Sequence, residues 1–347
     1  MRAALAVVGC LVLAGCGQAV QLPTCVAGAD VICDIVKPED IEAIPNSRWL
    51  LVSELGNGAD KPGRIVLVDP DTKEKRTLIE GPQQVAEGAA EQTCGAPPEK
   101  LTPRGFHLST RDDGSLRLLV ISGTRVERFH IKVDGDEFTS AWINCVSIAP
   151  EISANDVAAL DDDGIVVSHM FAPPRTAMMD WKFMLGMNTG AVYAWRKDGG
   201  WTRIPNSDVS FGNGIQVDPK TGRIYVASMY AQRIVALDKD GANRQETPRL
   251  PIQNDNISWS SDGKLIGVGH SGFPVRGTAR CRELGGAPCG FPFTVVQIDP
   301  KTLAFETLFE NKVPTIPGAS VALRRGNALY LGTAFGDRIT KVTVQAK

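Results

Sequence analysis

Six similar openings recur along this chain, and their spacing leaves few folds open to it. They are Glu39-Asp40-Ile41, Arg104-Gly105-Phe106, Asn155-Asp156-Val157, Asn213-Gly214-Ile215, Asp255-Asn256-Ile257 and Ala319-Ser320-Val321, about 42 to 65 residues apart. The most legible unit runs Phe211-Gly212-Asn213-Gly214-Ile215-Gln216-Val217, then Asp218-Pro219-Lys220-Thr221-Gly222, then Arg223-Ile224-Tyr225-Val226-Ala227. Alternating apolar residues on both sides of turn chemistry read as strand, turn, strand. A strand-only unit repeated six times predicts an all-β, six-bladed β-propeller of four-stranded antiparallel blades.

The rest of the chain fits one such ring. Its 347 residues are 43% hydrophobic, enough for a large core held in one repeat domain. A net charge of −2 offers no basic surface for nucleic acid. Sustained 3.6-residue periodicity is nearly absent, so little helix is expected. The exception is 170–189, where Met178, Met179, Trp181, Phe183, Met184 and Met187 suggest a short amphipathic helix or lid. Its role is either packing over one end of the core or gating of substrate. The chain ends in strand, and the segment near Cys25 to Ile35 could complete the last sheet.

Residues 1–15 read as a signal peptide: Arg2, then an apolar stretch from Ala3 to Val12 too short to anchor across a bilayer. Leu13-Ala14-Gly15-Cys16 resembles a bacterial lipoprotein signal, which implies cleavage before Cys16 and its lipidation. The expectation is an exported protein, lipid-anchored in the cell envelope on its periplasmic face and otherwise free of the membrane. Residues 16–30 then read as a tether and 31–347 as the propeller, a monomer. Ordinary secretion with Cys16 incidental is the alternative. Six further cysteines favour disulfides in an exported chain, and local spacing suggests Cys25–Cys33, Cys94–Cys145 and Cys281–Cys289 among fifteen possible pairings. A zinc site is the other reading, but no C-x-x-C pair exists and no His adjoins the Cys pairs.

In a radial array the first strand of each blade lines the channel, so the repeated openings meet around one axis. They bring together Glu39, Arg104, Asn155, Asn213, Asp255 with Asn256, and Ala319 with Ser320. Glu39 and Asp255 match the charge of one divalent ion, and three amide oxygens fill further positions. An all-oxygen shell suits calcium better than zinc. Each Asn or Asp alone also reads as a turn cap; their shared register argues for a metal. Asp40 and Asp156 follow directly and face the other way. They either hold a second, structural calcium or hydrogen-bond backbone in the core.

These residues resemble the paraoxonase (serum arylesterase) family, within the gluconolactonase and strictosidine-synthase-like six-bladed propellers. The resemblance covers roughly residues 33 to 345. It rests on Glu39-Asp40-Ile41-Glu42 after Cys33, Pro103-Arg104-Gly105, Asn155-Asp156-Val157, Phe211-Gly212-Asn213-Gly214-Ile215, Asp255-Asn256-Ile257-Ser258 and Val268-Gly269-His270. It implies a calcium-dependent hydrolase of lactones and aryl esters. The catalytic calcium would fall on Glu39, Asn155, Asn213, Asp255 and Asn256, and a structural one on Asp40 and Asp156. Three departures matter. Arg104 stands where the family has His, no His lies near Ser122-Gly123, and no Cys follows Cys289 to pair with Cys33 as in the family.

With that His pair absent, proton transfer needs another base. His169 and His270 both end a second strand and could border the channel mouth, whereas His107 should face away and His130 lie on a blade surface. Asp255 could act through the metal shell. Arg104 stays protonated and suits a substrate carboxylate or an oxyanion. Two readings stand: a calcium-dependent hydrolase of a small ester or lactone, or a non-catalytic, calcium-stabilised propeller that binds a ligand or protein. A different reaction on the same scaffold is a third.

Overall fold

The computed structural model describes residues 19–57, 61–87, 94–161, 164–271, 281, 283–284 and 287–345. The signal peptide and Cys16 lie outside them. Two short strands, β1 (Val20–Gln21) and β2 (Val31–Cys33), precede the first full blade. Blade 1 is β3 (Pro38–Ala43), β4 (Leu50–Glu54), β5 (Arg64–Val68) and β6 (Lys75–Ile79); blade 2 is β7 (Pro103–Thr110), β8 (Leu116–Ser122), β9 (Arg125–Asp134) and β10 (Glu137–Ser147). Blade 3 holds β11 (Ala154–Ala159), β12 (Ile165–His169), β13 (Ala191–Arg196) and β14 (Gly200–Arg203), with helix α1 (Ala177–Met184) between β12 and β13. Blade 4 is β15 (Gly212–Val217), β16 (Ile224–Ser228), β17 (Arg233–Leu237) and β18 (Gln245–Glu246). Blade 5 is β19 (Gln253–Trp259), β20 (Leu265–His270), β22 (Phe293–Ile298) and β23 (Phe305–Asn311), with β21 (Cys289–Gly290) in the β20–β22 connection. Blade 6 has β24 (Val321–Arg325), β25 (Ala328–Gly332) and β26 (Arg338–Thr343), and takes β2 as its outer strand.

Every blade is a four-stranded antiparallel sheet, so the chain is an all-β six-bladed propeller. The ring closes where the sequence suggested: Val31, Ile32 and Cys33 pair with Thr340, Ile339 and Arg338. Second strands such as Leu50-Leu51-Val52 and Ile224-Tyr225-Val226 are apolar at successive positions because neighbouring blades bury both of their faces. Six hydrophobic clusters fill the six seams between blades; one joins Trp49 and Leu51 of blade 1 to Leu118, Phe129 and Trp142 of blade 2. Outer strands such as β18 are exposed, and their sequences are correspondingly polar.

The Asp-Pro turns are built by their carboxylates. Asp69, Asp218 and Asp299 each accept the backbone N–H two residues on, at 2.9 Å. Three disulfides form, with the pairing the spacing suggested: Cys25–Cys33, Cys94–Cys145 and Cys281–Cys289. The stretch read as a tether departs from expectation. β1 pairs with β21, the Cys25 N–H donates to Asp337 at 2.8 Å, and Ala19 packs against Phe291 and the Cys281–Cys289 bridge. Residues 19–30 therefore lie on the ring, held by backbone pairing to distant residues that no local sequence pattern announces. No helix among the described residues is long and apolar enough to cross a membrane.

Candidate functional site

The recurrent openings have a common structural cause. In five blades the pairing between first and second strand slips at the opening itself: between Pro38 and Asp40, Pro103 and Phe106, Ala154 and Val157, Gly212 and Ile215, and Asn254 and Ile257. A bulge leaves one or two residues out of the ladder and re-aims their side chains. The residues so released are Glu39; Arg104 and Gly105; Asn155 and Asp156; Asn213 and Gly214; Asp255 and Asn256. Glycine lets adjacent first strands close up. A Cβ on Gly105 would come 2.7 Å from the Asp156 Cα, and one on Gly214 would come 2.6 Å from the Asn256 Cα.

The side chains on the axis share an unusual deficit. Glu39 Oε2, Asn155 Oδ1, Asn213 Oδ1 and Asn256 Oδ1 are buried acceptors with no hydrogen-bond partner. Such orphans are few in a native protein; these four come from the first-strand openings of four blades, Glu39, Asn155 and Asn213 at one register and Asn256 one residue further on. The donors around them are accounted for. Asn256 Nδ2 donates to the Glu39 carbonyl at 3.3 Å and to Glu39 Oε1 at 3.4 Å. Ser320 Oγ donates to the same carbonyl at 2.9 Å. Asn155 Nδ2 reaches the Met170 sulfur at 3.6 Å, and Asn213 Nδ2 the Met229 sulfur at 3.4 Å. Each thioether thus takes an amide N–H₂ and leaves the amide oxygen free.

The electrostatics agree. Burial raises the Glu39 carboxyl to about 6, against the Asn256 hydrogen bond and the Arg104 charge. Burial, then repulsion from Glu39, raises Asp255 to about 8, against a hydrogen bond with Asn213. Two carboxyls resisting ionisation beside three free amide oxygens fit a hard divalent cation, which would favour their charged forms. No group of three or more His, Cys, Asp and Glu gathers as a metal cluster among the described residues; this set takes most of its oxygens from amides.

The other expected site residues divide. Asp40 and Asp156 are buried, and all four of their oxygens accept backbone N–H groups: Ile41 and Phe106 for Asp40, Val157 and Ile215 for Asp156. They clasp the first strand of blade 1 to that of blade 2, and of blade 3 to that of blade 4. Burial holds both well above the usual carboxylate range, and repulsion from neighbouring carboxylates adds to it. His270 is buried, with neither ring nitrogen hydrogen-bonded, Nε2 3.8 Å from Asp255 Oδ2 and the ring 4.4 Å from that of Phe291. Burial lowers its pKa to about 4, so it is neutral at pH 7.

His169 does not join this group. Its Nδ1 accepts the Ser153 N–H at 3.0 Å and its ring meets Tyr193 edge-on, on the flank of blade 3. Ending a second strand brought its backbone to the right end, but the side chain turned into the sheet. Arg104 stands apart from the oxygen set. It does not point inward with the oxygen set but is exposed at the rim of a cleft of about 460 Å³ between blades 2 and 3. His107 pairs with Glu42 at 3.2 Å, away from the axial set.

The insert folds as α1, capped by the Thr176 hydroxyl. Its buried Phe183 stacks on Tyr230 and meets Phe211 and Phe171. Phe211 has a φ of 57° two residues before Asn213, a left-handed backbone held by these ring contacts. Met178, Trp181 and Leu185 stay exposed. Sequence reasoning missed Met170, Met229 and the orphaned Asn254 Oδ1. A Met directly after the second strand in two successive blades was the available signal.

A ring of six four-stranded antiparallel blades, with buried oxygen-bearing side chains at the openings of its first strands, defines a six-bladed propeller. The sequence profile of the arylesterase family matches residues 27–339, and the chain belongs to that family. It is 24% identical to human serum paraoxonase/arylesterase 1 over 273 residues, covering 73% of this chain and 70% of that one. Among solved structures it resembles XC5397, a gluconolactonase from Xanthomonas campestris, at a TM-score of 0.52 and 15% identity over 96% of this chain and 99% of that one. A luciferin-regenerating enzyme gives 0.51 and 13% over 91% and 95%. These two similarities concern the fold.

Proposed function

We propose that the chain is an exported, calcium-dependent hydrolase of lactones or aryl esters. The observation that carries this reading is the set of four orphaned, buried oxygens contributed by four blades, next to Asp255. Glu39, Asn155, Asn213, Asp255 and Asn256 would hold the ion. Calcium, when bound, supplies a positive charge that polarises an ester carbonyl and stabilises the oxyanion. Family membership supports the reaction class, and three disulfides support export. Cys16 is assigned to lipid anchoring on the lipoprotein-like motif.

His270 is the base of this scheme. Neutral at pH 7 and with both nitrogens free, it can take a proton from water as the water oxygen bonds to the acyl carbon. The acyl C–O bond then breaks and His270 returns the proton to the departing alkoxide. Asp255, beside it, favours the imidazolium formed in between. Each oxygen of Asp40 and Asp156 keeps a lone pair, so a structural calcium between them would relieve their repulsion.

The second reading, a non-catalytic binding propeller, draws on the absence of the family's His pair. Ser122 Oγ, near where the second of that pair would stand, instead accepts the Thr102 N–H at 3.0 Å. Hydrolysis of phenyl acetate and a lactone panel, with EDTA and with calcium restored, separates the two. Turnover lost to chelator and regained with calcium supports the hydrolase. No turnover, with EDTA lowering only the melting temperature, supports the binding module.

A further inference from the structure

Arg104 is where this chain parts from its family, and its surroundings give it a task. It occupies the bulge of β7, where the other blades put Glu39, Asn155, Asn213 and Asp255, yet it is exposed. It makes no hydrogen bond or ion pair to any described residue, whereas arginines such as Arg48 and Arg196 at the other end of the blades are paired. Arg104 lines the cleft of about 460 Å³, whose other walls include Thr102, Thr124, Ile148, Pro150, Ile152 and Pro173. Ser153 and Ala154 of the same lining immediately precede Asn155 in the chain. Arg104 also lies close enough to Glu39 for its charge to act on that carboxyl.

An unpaired planar cation lining a cleft of mixed polar and apolar walls is a receptor for an anion presented by a small organic molecule. The cleft is large enough for a ligand of several carbons. A guanidinium fork meets a carboxylate with two parallel, charge-assisted hydrogen bonds, a fit that a neutral group does not offer. We propose that Arg104 is a specificity-determining residue, and that the substrates are small lactones or esters carrying a carboxylate away from the scissile bond. Arg104 thus binds substrate rather than moving protons. The inference rests on the hydrolase reading for the word substrate, and on the cleft alone for the anion.

The test compares γ-butyrolactone bearing a γ-carboxylate with its γ-carboxamide, which has the same shape and no charge. The calcium-loaded wild type is expected to show a KM lower for the carboxylate by ~10- to 100-fold, the range of a charge-assisted hydrogen bond. Raising the ionic strength should shrink that ratio. Arg104→Gln should collapse it toward one, and Arg104→Lys, which keeps the charge without the fork, should retain part of it. Thermal melts of both variants establish that they fold. Equal KM values in the wild type, or a ratio that Arg104→Gln leaves intact, overturns the proposal. Turnover of phenyl acetate or other lactones but of neither compound also overturns the proposal, whereas no turnover of any ester or lactone sinks the hydrolase reading instead. Calorimetric binding of glutarate to wild type and Arg104→Gln then decides the anion site: binding lost in the variant upholds it, and equal binding overturns it.

Discussion

Replacing Asp255 by Asn should move stability in opposite directions with and without calcium. Without a cation, burial and the Glu39 charge carry the Asp255 carboxyl from its ordinary 3.8 to about 8. A carboxyl whose folded pKa is raised favours the fold while both states are protonated. That advantage is lost as pH rises from the unfolded value toward the folded one. Stability in EDTA should therefore fall between about pH 4 and pH 8. At pH 7 the penalty is roughly 4 kcal/mol, at about 1.4 kcal/mol per pH unit. Asn keeps the shape without the charge, so Asp255→Asn should recover roughly 2–4 kcal/mol in EDTA and flatten the pH profile. Calcium reverses the order. An ion at a thousand times its Kd stabilises by about 4 kcal/mol, and losing one of two carboxylates removes much of that. Urea denaturation at pH 5 and pH 7.5, in EDTA and in calcium, measures all four conditions. A variant less stable than wild type in EDTA at pH 7.5, with an unchanged increment from calcium, would refute the reasoning.

Two other expectations concern single contacts. Met170→Leu and Met229→Leu remove the sulfurs that hold the Asn155 and Asn213 amides, at near-constant volume. Each should weaken calcium binding by roughly 3- to 10-fold with little change in apo melting; calorimetry showing wild-type affinity in both would discard the positioning role. At the far turn of blade 1, burial pushes Asp69 up, but Arg48 and the Asp71 and Thr72 N–H groups outweigh it and hold the carboxyl at about 2. A depressed carboxyl stabilises above its unfolded pKa and loses that contribution as pH falls, here from about 4 to about 2. With Arg48 half in solvent, Asp69→Asn should cost about 1–2 kcal/mol at pH 7 and only a few tenths of that at pH 2, read by acid titration of the melting temperature.

Five of the six openings were legible because each sits where the ladder breaks. A bulge demands a small or polar residue, and the strand that follows restores apolar alternation. Four of the oxygens singled out by position in the repeat are buried acceptors without a partner. That position did not predict side-chain direction within a strand end. His169 and His270 occupy equivalent places, yet Ser153 and Tyr193 draw one ring aside while Phe291 holds the other beside Asp255. Arg104 shows the same limit, since a long charged side chain leaves an axis that a short amide fills. The pairing of β1 with β21 depends on backbone hydrogen bonds to a distant loop, for which no local pattern exists.

A crystal structure grown in calcium tests the central claim most directly. The account predicts one cation on the propeller axis, held by oxygens of Glu39, Asn155, Asn213, Asp255 and Asn256, with the Met170 and Met229 contacts kept. A channel whose four orphaned oxygens are satisfied by water or by one another, with no ion among them, would contradict it.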